Sequence, residues 1–503
     1  MPTIRLDWNH DGTFSHPAAD ITAFVRRATW TLGYPDPVRS ADRLPPDASA
    51  VIELDNADGR FSPDNASGPH HNALLPGRRV QMLLDDVPLW TGWLQHVDVS
   101  PGEHGPRTAT LHAAGGFFLL QDHHPRLAPQ QNQRADALLR DLLAQVPASP
   151  ALQTGWRVQL GQLGSTTTLY ATSDQLLDSV GQTLFAYIGD VWGDATSALR
   201  VIEQLVQAER GWFWQGRDGR FVFRGRHFYL TDTTSPPAVD LGAVATAATY
   251  AHGEDITTTV RITCYPRSVT PDVQPLWQSR TPLRVGPLRD RTFIVHLDGA
   301  VSGALTLETA LPYTDYTATD DFNRDRTGAI ALSAVLDGGS LARVNVRNPL
   351  PVAVDVDVQL RGVGVTLFDA VTVEAADVDA LLTYGRHLLD LRIPLLDDPD
   401  TAQNLADWLL QQRATPSGAL HHFTVRDHDA ASSTHLKTWT LGTRLDIAEA
   451  QTHAAGRYLL TGETGQWTPD DGLALAYTLT PLDTTPYAVL DVQGPLGVGV
   501  VGY

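Results

Sequence analysis

The chain has 503 residues, enough for several domains of roughly 100–200 residues each. Its formal charge of −20 repels phosphate, which argues against nucleic-acid recognition. A single cysteine, Cys264, excludes an internal disulfide and a cysteine-rich zinc site.

The basic side is nearly all arginine, with Lys437 the only lysine, a bias expected from GC-rich coding. "MPTIRLDWNHDG" lacks the basic start and apolar core of a signal peptide. No run approaches the ~18 apolar residues of a membrane span, so a soluble, cytoplasmically made protein is expected. Near the N-terminus, "DWNHDGTFS" places Asp7, Asn9, Asp11 and Gly12 as the opening of a calcium loop. Alternate residues turn hard oxygen ligands inward, and the glycine permits the bend. Thr13 would add its carbonyl and Asp20 would complete the shell, because Ala18 stands where the closing Glu belongs. The competing reading is a solvated Asx-rich turn.

The first 120 residues predict a β-barrel or small sandwich, from alternation in "VRRATWTLGY", "SAVIELD", "RRVQMLL", "LWTGWLQHVDV" and "RTATLHAAG". Trp90 and Trp93 fall on opposite faces of one strand, so one of them is expected to be exposed. Between the second and third of these strands lies "ELDNADGRFSPDN", whose Asp-Gly and Ser-Pro steps are turn chemistry.

Helical spacing then takes over. "QRADALLRDLLAQV" (133–146) carries a Leu138, Leu139, Leu142, Leu143, Val146 stripe, and "TSALRVIEQLVQAERG" (196–211) repeats the pattern. "WFWQGRDGRFVFRGR" (212–226) reads as a hairpin about Gly216–Gly219 whose aromatics belong to a core rather than a sugar platform. Strands return from 245 to 365, with Cys264 as a small buried residue in "TTTVRITCY". Residues 270–352 read as a self-contained inserted β-sandwich. "DVDALLTYGRHLLDL" (377–391) is a helical patch. "DDPDTAQNLADWLLQQRATP" (397–416) is a helix capped by Asp400 or Thr401, and the last 85 or so residues are strands again.

The sequence contains no nucleophile elbow, phosphate loop, HExxH or dinucleotide fingerprint. The pairs His70-His71, His123-His124 and His421-His422 are poor chelates on a strand, since neighbours point to opposite faces, and they read as surface or turn histidines. "DDFNRD" (320–325) echoes the calcium motif weakly, with Arg326 in the glycine place, and reads as a loop.

Taken in order, "DWNHDGTF…DIT", "IELDNADGRFSP" with "LLPGRRVQM" and "LWTGWLQHVDV", "AERGWFWQGRDGRFVFRGR", and "TYGRHLLDL…DDPDTAQNLADWLLQQRATP" resemble the minor tail or baseplate hub proteins of long-tailed bacteriophages. The resemblance covers most of the chain except 270–352. It implies a multidomain, mainly β protein with α+β parts: two tail-tube-like β-barrel domains, an α/β module and an inserted β-sandwich. The boundaries it suggests are 1–122 for the first barrel, 123–244 for the α/β module, and 245–269 plus 353–420 for a second barrel and helix region. The insertion takes 270–352 and a C-terminal β region 421–503. It further implies a non-enzymatic virion component of the tail tip, assembled in the host cytoplasm. That component would be a homotrimer of pseudo-sixfold shape that joins tail tube or distal tail proteins to tip or fibre proteins. Arg60 and Phe61 would then anchor their loop or touch a neighbouring subunit. The alternative is a carbohydrate-binding or carbohydrate-active β-rich protein, resting on the 12 tryptophans and many aspartates.

Overall fold

The computed structural model describes the chain except residues 11–13, 37–43, 103–104, 147–183, 190–191, 193–195, 226–234, 255, 298–302, 483–486, 489–499 and 502–503. Alternation builds the first strands. They are β1 (Pro2–Leu6), β2 (Val25–Gly33), β3 (Ser49–Asp55), β4 (Arg79–Leu84), β5 (Val87–Ser100) and β6 (Thr108–Ala114). In β3, Ala50, Ile52 and Leu54 are buried while Val51 faces out, as a period of two requires.

The next segment holds α1 (Phe117–Gln121), β7 (Gln130–Arg134), α2 (Ala135–Gln145), β8 (Leu184–Ile188), α3 (Ala198–Glu209), β9 (Trp212–Gln215) and β10 (Phe221–Arg224). The leucine stripe of α2 and Val201, Ile202, Leu205 and Val206 of α3 meet in one core. Ser197 caps α3 by accepting the Arg200 N–H. The β9–β10 hairpin is buried on both faces. Phe213, Phe221 and Phe223 enter this helical core, and Trp214 enters the core of the first strands. The same covering buries Trp93. Trp90 and Trp93 point to opposite faces as expected, yet neither is exposed, because the α/β segment packs on the second face of β5.

The second half of the chain carries two nested insertions. β11 (Ala238–Asp240), α4 (Leu241–Val244) and β12 (Ala247–His252) precede the outer insertion, which begins with β13 (Thr259–Cys264). Inside it lies a sandwich made of β14 (Arg267–Val269), β15 (Gln274–Gln278), β16 (Leu283–Val285), β17 (Arg289–His296), β18 (Gly303–Leu307), β19 (Tyr316–Asp320), β20 (Ala331–Leu336), β21 (Leu341–Asn348) and β22 (Val354–Leu367). The outer insertion then closes with β23 (Val371–Ala376), α5 (Val378–Tyr384), β24 (Leu388–Arg392) and α6 (Pro399–Arg413). After it come β25 (Gly418–Arg426), α7 (Ala430–Thr438), β26 (Arg444–Glu449), β27 (Ala454–Thr468) and β28 (Gly472–Pro481). The sandwich has its own core, running from Leu276 to Leu360. Its central strand is β22, which pairs with five others, so this strand belongs to the insertion rather than to the second barrel region. The three-stranded sheet β23-β13-β24 and α6 join the helical core instead. Asp398 caps α6, with Pro399 at its first position, displacing the expected Asp400 or Thr401. Cys264 is buried, and burial pushes its thiol up.

β7 pairs with β8 and β9 with β10, and twelve other strands form one sheet in the order β1-β4-β5-β6-β3-β2-β27-β28-β25-β12, with β26 on β27 and β11 on β26. It contains one pattern twice. Naming the first six strands a to f in chain order gives the spatial order a-d-e-f-c-b. The set β11, β12, β25, β26, β27, β28 gives the same order. Even a bulge recurs, between Leu94 and His96 of β5 and between Leu460 and Gly462 of β27. One pairing differs: β1 is antiparallel to β4, whereas β11 is parallel to β26. Among the described residues the ladder is open. The two units fuse edge to edge instead of closing as separate barrels.

Candidate assembly surface

The fusion of the two units is the most constrained place in the sheet. Residues 454–459 of β27 pair with β26, and on that same edge residues 462–467 pair with β2. Gly33 faces Gly462 and Trp30 faces Gly465. A Cβ on Gly462 would sit 1.7 Å from the Tyr34 carbonyl oxygen, and one on Gly465 would sit 2.0 Å from the Trp30 ring. Glycine is required at both crossings.

A buried charge pair locks the fusion from behind. Arg217, in the β9–β10 turn, donates through Nε and Nη2 to Glu463 Oε2 at 2.8 and 2.6 Å. Its Nη1 donates to the Leu436 carbonyl at 2.7 Å, and Trp30 Nε1 donates to Glu463 Oε1 at 3.3 Å. Both charged side chains are almost fully buried. Burial drives the Glu463 carboxyl up, and Arg217 pulls it back. Burial likewise opposes charge on Arg217, and Glu463 more than offsets it. With three donors on one carboxylate, the ionised pair is the state this geometry holds. One triad therefore joins the first unit (Trp30), the α/β segment (Arg217) and the second unit (Glu463).

Repetition makes the equivalents of this junction identifiable. The bulges align Gln95 with Thr461, so His96 corresponds to Gly462 and Ser100 to Gln466. Following the ladders through β6-β3-β2 and β28-β25-β12 makes Thr249 the counterpart of Thr29. Gly253 (φ 79°) then corresponds to Gly33 (φ 69°), and both adopt the left-handed conformation. In the first unit, β4 pairs with β5 only up to Trp93, so the edge at 95–100 has no described strand beside it. At the other end of the sheet, among the described residues, β12 pairs with β25 alone. Tyr250 on β12 and Val99 on β5 are 37% and 39% exposed.

The residues singled out from sequence fall elsewhere. Asp7 is buried, and its N–H donates to the Arg79 carbonyl at 2.9 Å. Asn9 Nδ2 reaches Ser15 Oγ at 3.4 Å. Asp20 Oδ1 accepts from the Thr22 N–H at 2.9 Å and from its hydroxyl at 2.5 Å. Asp11 and Thr13 lie outside the described residues. In "ELDNADGRFSPDN", Asn56 accepts the Phe61 N–H at 2.9 Å and donates to Ser62 Oγ at 3.0 Å. Phe61 is fully buried, and Arg60 lies 4.1 Å over the Phe24 ring, so both residues anchor the loop within its own subunit. His70 is no surface residue: it is buried and stacks 3.9 Å from Trp8. In "DDFNRD", Asp320 is no open cation ligand. It accepts from the Phe322 and Arg324 N–H groups and from both Arg324 Nε and Arg326 Nε. Burial opposes its charge, but these donors hold its carboxyl at about 2. No tryptophan is among the exposed large apolar side chains of the described residues, and Trp212, Trp277 and Trp408 are half-buried. No described helix is long and apolar enough to cross a membrane.

The sequence reading missed Arg217, Glu463 and the β12 edge. Glu463 carried a signal, being an acidic residue at an inward position of "RYLLTGETGQW". Arg217 read as a turn residue and nothing more.

No family model matches the chain, and no curated protein matches it. Among solved structures it is similar to the 43 kDa tail protein of prophage MuSo2 from Shewanella oneidensis, at 9% identity over 95% of this chain and 97% of that one, with a TM-score of 0.48. It is similar to the tail protein from Neisseria meningitidis MC58, at 11% identity over 95% and 96%, with a TM-score of 0.47. It is also similar to the E. coli c3393 protein, described as a component of the type VI secretion system, at 9% identity over 91% and 74%, with a TM-score of 0.36.

Proposed function

We propose that the chain is a non-enzymatic structural hub at the tip of a phage or phage-like tail. It joins tail tube or distal tail proteins to tip or fibre proteins as a homotrimeric ring. The observation that carries the assembly is the repeated a-d-e-f-c-b order with its internal junction. Repeating the strand register of that junction between copies, with His96 and Val99 in place of the two glycines and Tyr250 in place of Trp30, sets Thr249 of one chain opposite Ser100 of the next, and Tyr250 opposite Val99. The two half-exposed apolar side chains are thereby covered, and unpaired strand edges that invite association are satisfied. Such a contact is heterologous, and it gives a closed ring when its rotation closes. Three copies then present six units of one topology around an axis, and the ladders that are open in a single chain close through their neighbours. The tail context comes from the ordered sequence motifs. The loop Asp7, Asn9, Asp11, Thr13 with Asp20 is retained as a calcium staple for the N-terminus.

The test is cross-linking of Thr249→Cys with Ser100→Cys in one chain. Cys264, being buried, stays silent. Oxidation should yield a covalent species that runs as a trimer, and each single variant should yield none. Purified particles in which the double variant assembles without any cross-link would overturn the ring. Glycan binding or hydrolysis by the pure chain would overturn the structural role.

A further inference from the structure

We propose that His96, Asp98 and His112 form a binding site for a divalent transition-metal ion of the zinc and nickel class. His96 and His112 sit directly opposite each other on β5 and β6, because the bulge after Leu94 shifts the register by one residue. Asp98, two residues along β5, shares the face of His96. The ligand atoms of the three side chains lie within 4.8 Å of one another. His112 Nε2 is 3.0 Å and His96 Nε2 is 4.0 Å from Asp98 Oδ2. Ligand atoms on a tetrahedral zinc, with bonds of ~2.0–2.1 Å, stand roughly 3.3 Å apart, so rotations of exposed rings close the set.

The two imidazoles stack, with centroids 4.3 Å apart and planes 10° apart, and each has its Nε2 nearest Asp98 Oδ2, so one ring must turn out of the stack for both in-plane lone pairs to meet one ion. Beneath them Leu94, Leu111 and Ala113 are buried, which holds both strands rigid. Two nitrogens and one carboxylate favour a borderline-soft ion over calcium or magnesium. The three side chains are solvent-accessible, His96 60%, Asp98 69% and His112 31% exposed, so a bound ion keeps open positions towards solvent. A ligand of a docking protein or a small anion would complete its shell. All three ligands come from one chain, although in the proposed ring β12 of the neighbouring copy runs beside the β5 edge that carries His96 and Asp98.

The experiment is calorimetric titration of the full chain with zinc chloride, with calcium chloride as the control metal. Wild type should take up one equivalent with a Kd on the order of micromolar. His112→Gln, and His96→Gln with it, should weaken that event at least about tenfold, while the far-UV circular dichroism stays unchanged. Cobalt substitution should give a visible d–d band in wild type that the double variant lacks. Absence of a saturable zinc event, or the same isotherm and cobalt spectrum in the double variant, overturns the site. In that case Asp98 and His112 are a simple cross-strand hydrogen-bonded pair.

Discussion

Replacing Arg217 by methionine removes three well-formed donors from the interior at once: two to Glu463 and one to the Leu436 carbonyl. The methionine keeps most of the apolar volume, so the loss is electrostatic rather than a cavity. Leaving the buried Glu463 carboxylate without its partner costs about 3–5 kcal/mol. The unpaired Leu436 carbonyl adds about 1–3 kcal/mol if no water reaches it. Because Glu463 and Trp30 sit on β27 and β2, the loss should appear at the fusion of the two units rather than throughout the chain. Hydrogen exchange should therefore quicken in β2 and β27 before it does in the sandwich, and the urea midpoint read by tryptophan fluorescence should fall. The diagnostic variant is Arg217→Met with Glu463→Gln. Once the charge is gone, the double variant should recover most of the stability lost by the single one, because a neutral amide is far cheaper to bury than a lone carboxylate. A single variant costing under about 1 kcal/mol, or a double variant as unstable as the two losses added, would refute the account of the junction as a compensated buried pair.

Three further outcomes rest on other residues. Gly465→Val should push the Trp30 ring out of its place and cost about 1–3 kcal/mol, visible as a shift in tryptophan emission. Gly105→Ala, where an added Cβ meets nothing within 4 Å, should leave emission and stability unchanged. Burial raises Asp47 from 3.8 to about 6 against the Phe117 and Phe118 N–H donors, so its protonated form is the one the fold favours. The contribution is complete below about pH 4 and is lost as pH rises through about 6. Asp47→Asn should therefore be more stable than wild type by about 1–3 kcal/mol at pH 8 and equal to it near pH 4. A difference in Tm that does not vary with pH would dismiss the shift. If the N-terminal loop holds calcium, chelator should lower Tm, calcium should restore it, and Asp11→Ala should abolish the response. A chelator without effect on wild type leaves an ordinary Asx-rich turn.

Local pattern carried most of the elements and little of their connectivity. The alternation of "SAVIELD" and the leucine stripe of 133–146 fix β3 and α2, because a period of two or 3.6 is a property of neighbouring residues. "VAVDVDVQLRGV" alternates just as well in either of two sheets, so only the non-local pairing of β22 shows that it belongs to the sandwich. Trp93 and His70 are buried by segments remote in sequence, information that no window around them contains. The sheet duplication was invisible for a related reason. Equivalent positions such as Gly462 and His96, or Gly465 and Val99, share backbone geometry and not side chains. Arg79 and Arg444, both buried at equivalent points of β4 and β26, are one of the few identities that survive. Of the assembly surface, the sequence showed that two strand-rich regions exist. It did not show that they share an order, or that one strand edge of each is left unpaired.

Whether the sandwich is an independent unit can be decided by excision, and the structure says where to cut. β13 and β23 pair as far as Cys264 opposite Val371, and β14 and β22 continue the same antiparallel run with Ser268 opposite Thr366. The insertion thus leaves and re-enters through a two-stranded stalk whose strands are already hydrogen-bonded. Replacing 269–365 with Asn-Gly closes that stalk with the two-residue turn its twist prefers. The sandwich core shares no member with the other two clusters; its 337–338 turn approaches Leu127, and half-exposed Arg126 stands 3.9 Å from the mostly buried Asp337. Such a pair contributes at most about 1 kcal/mol. Arg267, which holds the Pro394 carbonyl at 2.7 Å, is kept by this cut. A folded insertion holds its own ends together, so removing it neither relieves nor imposes much loop-closure entropy on the host. The shortened chain should stay soluble, keep its remaining tryptophan environment, and melt within a few degrees of the corresponding wild-type transition. If the cut chain is insoluble, or loses the transition of the central sheet, the sandwich is part of the host's folding unit and the nested-insertion account fails.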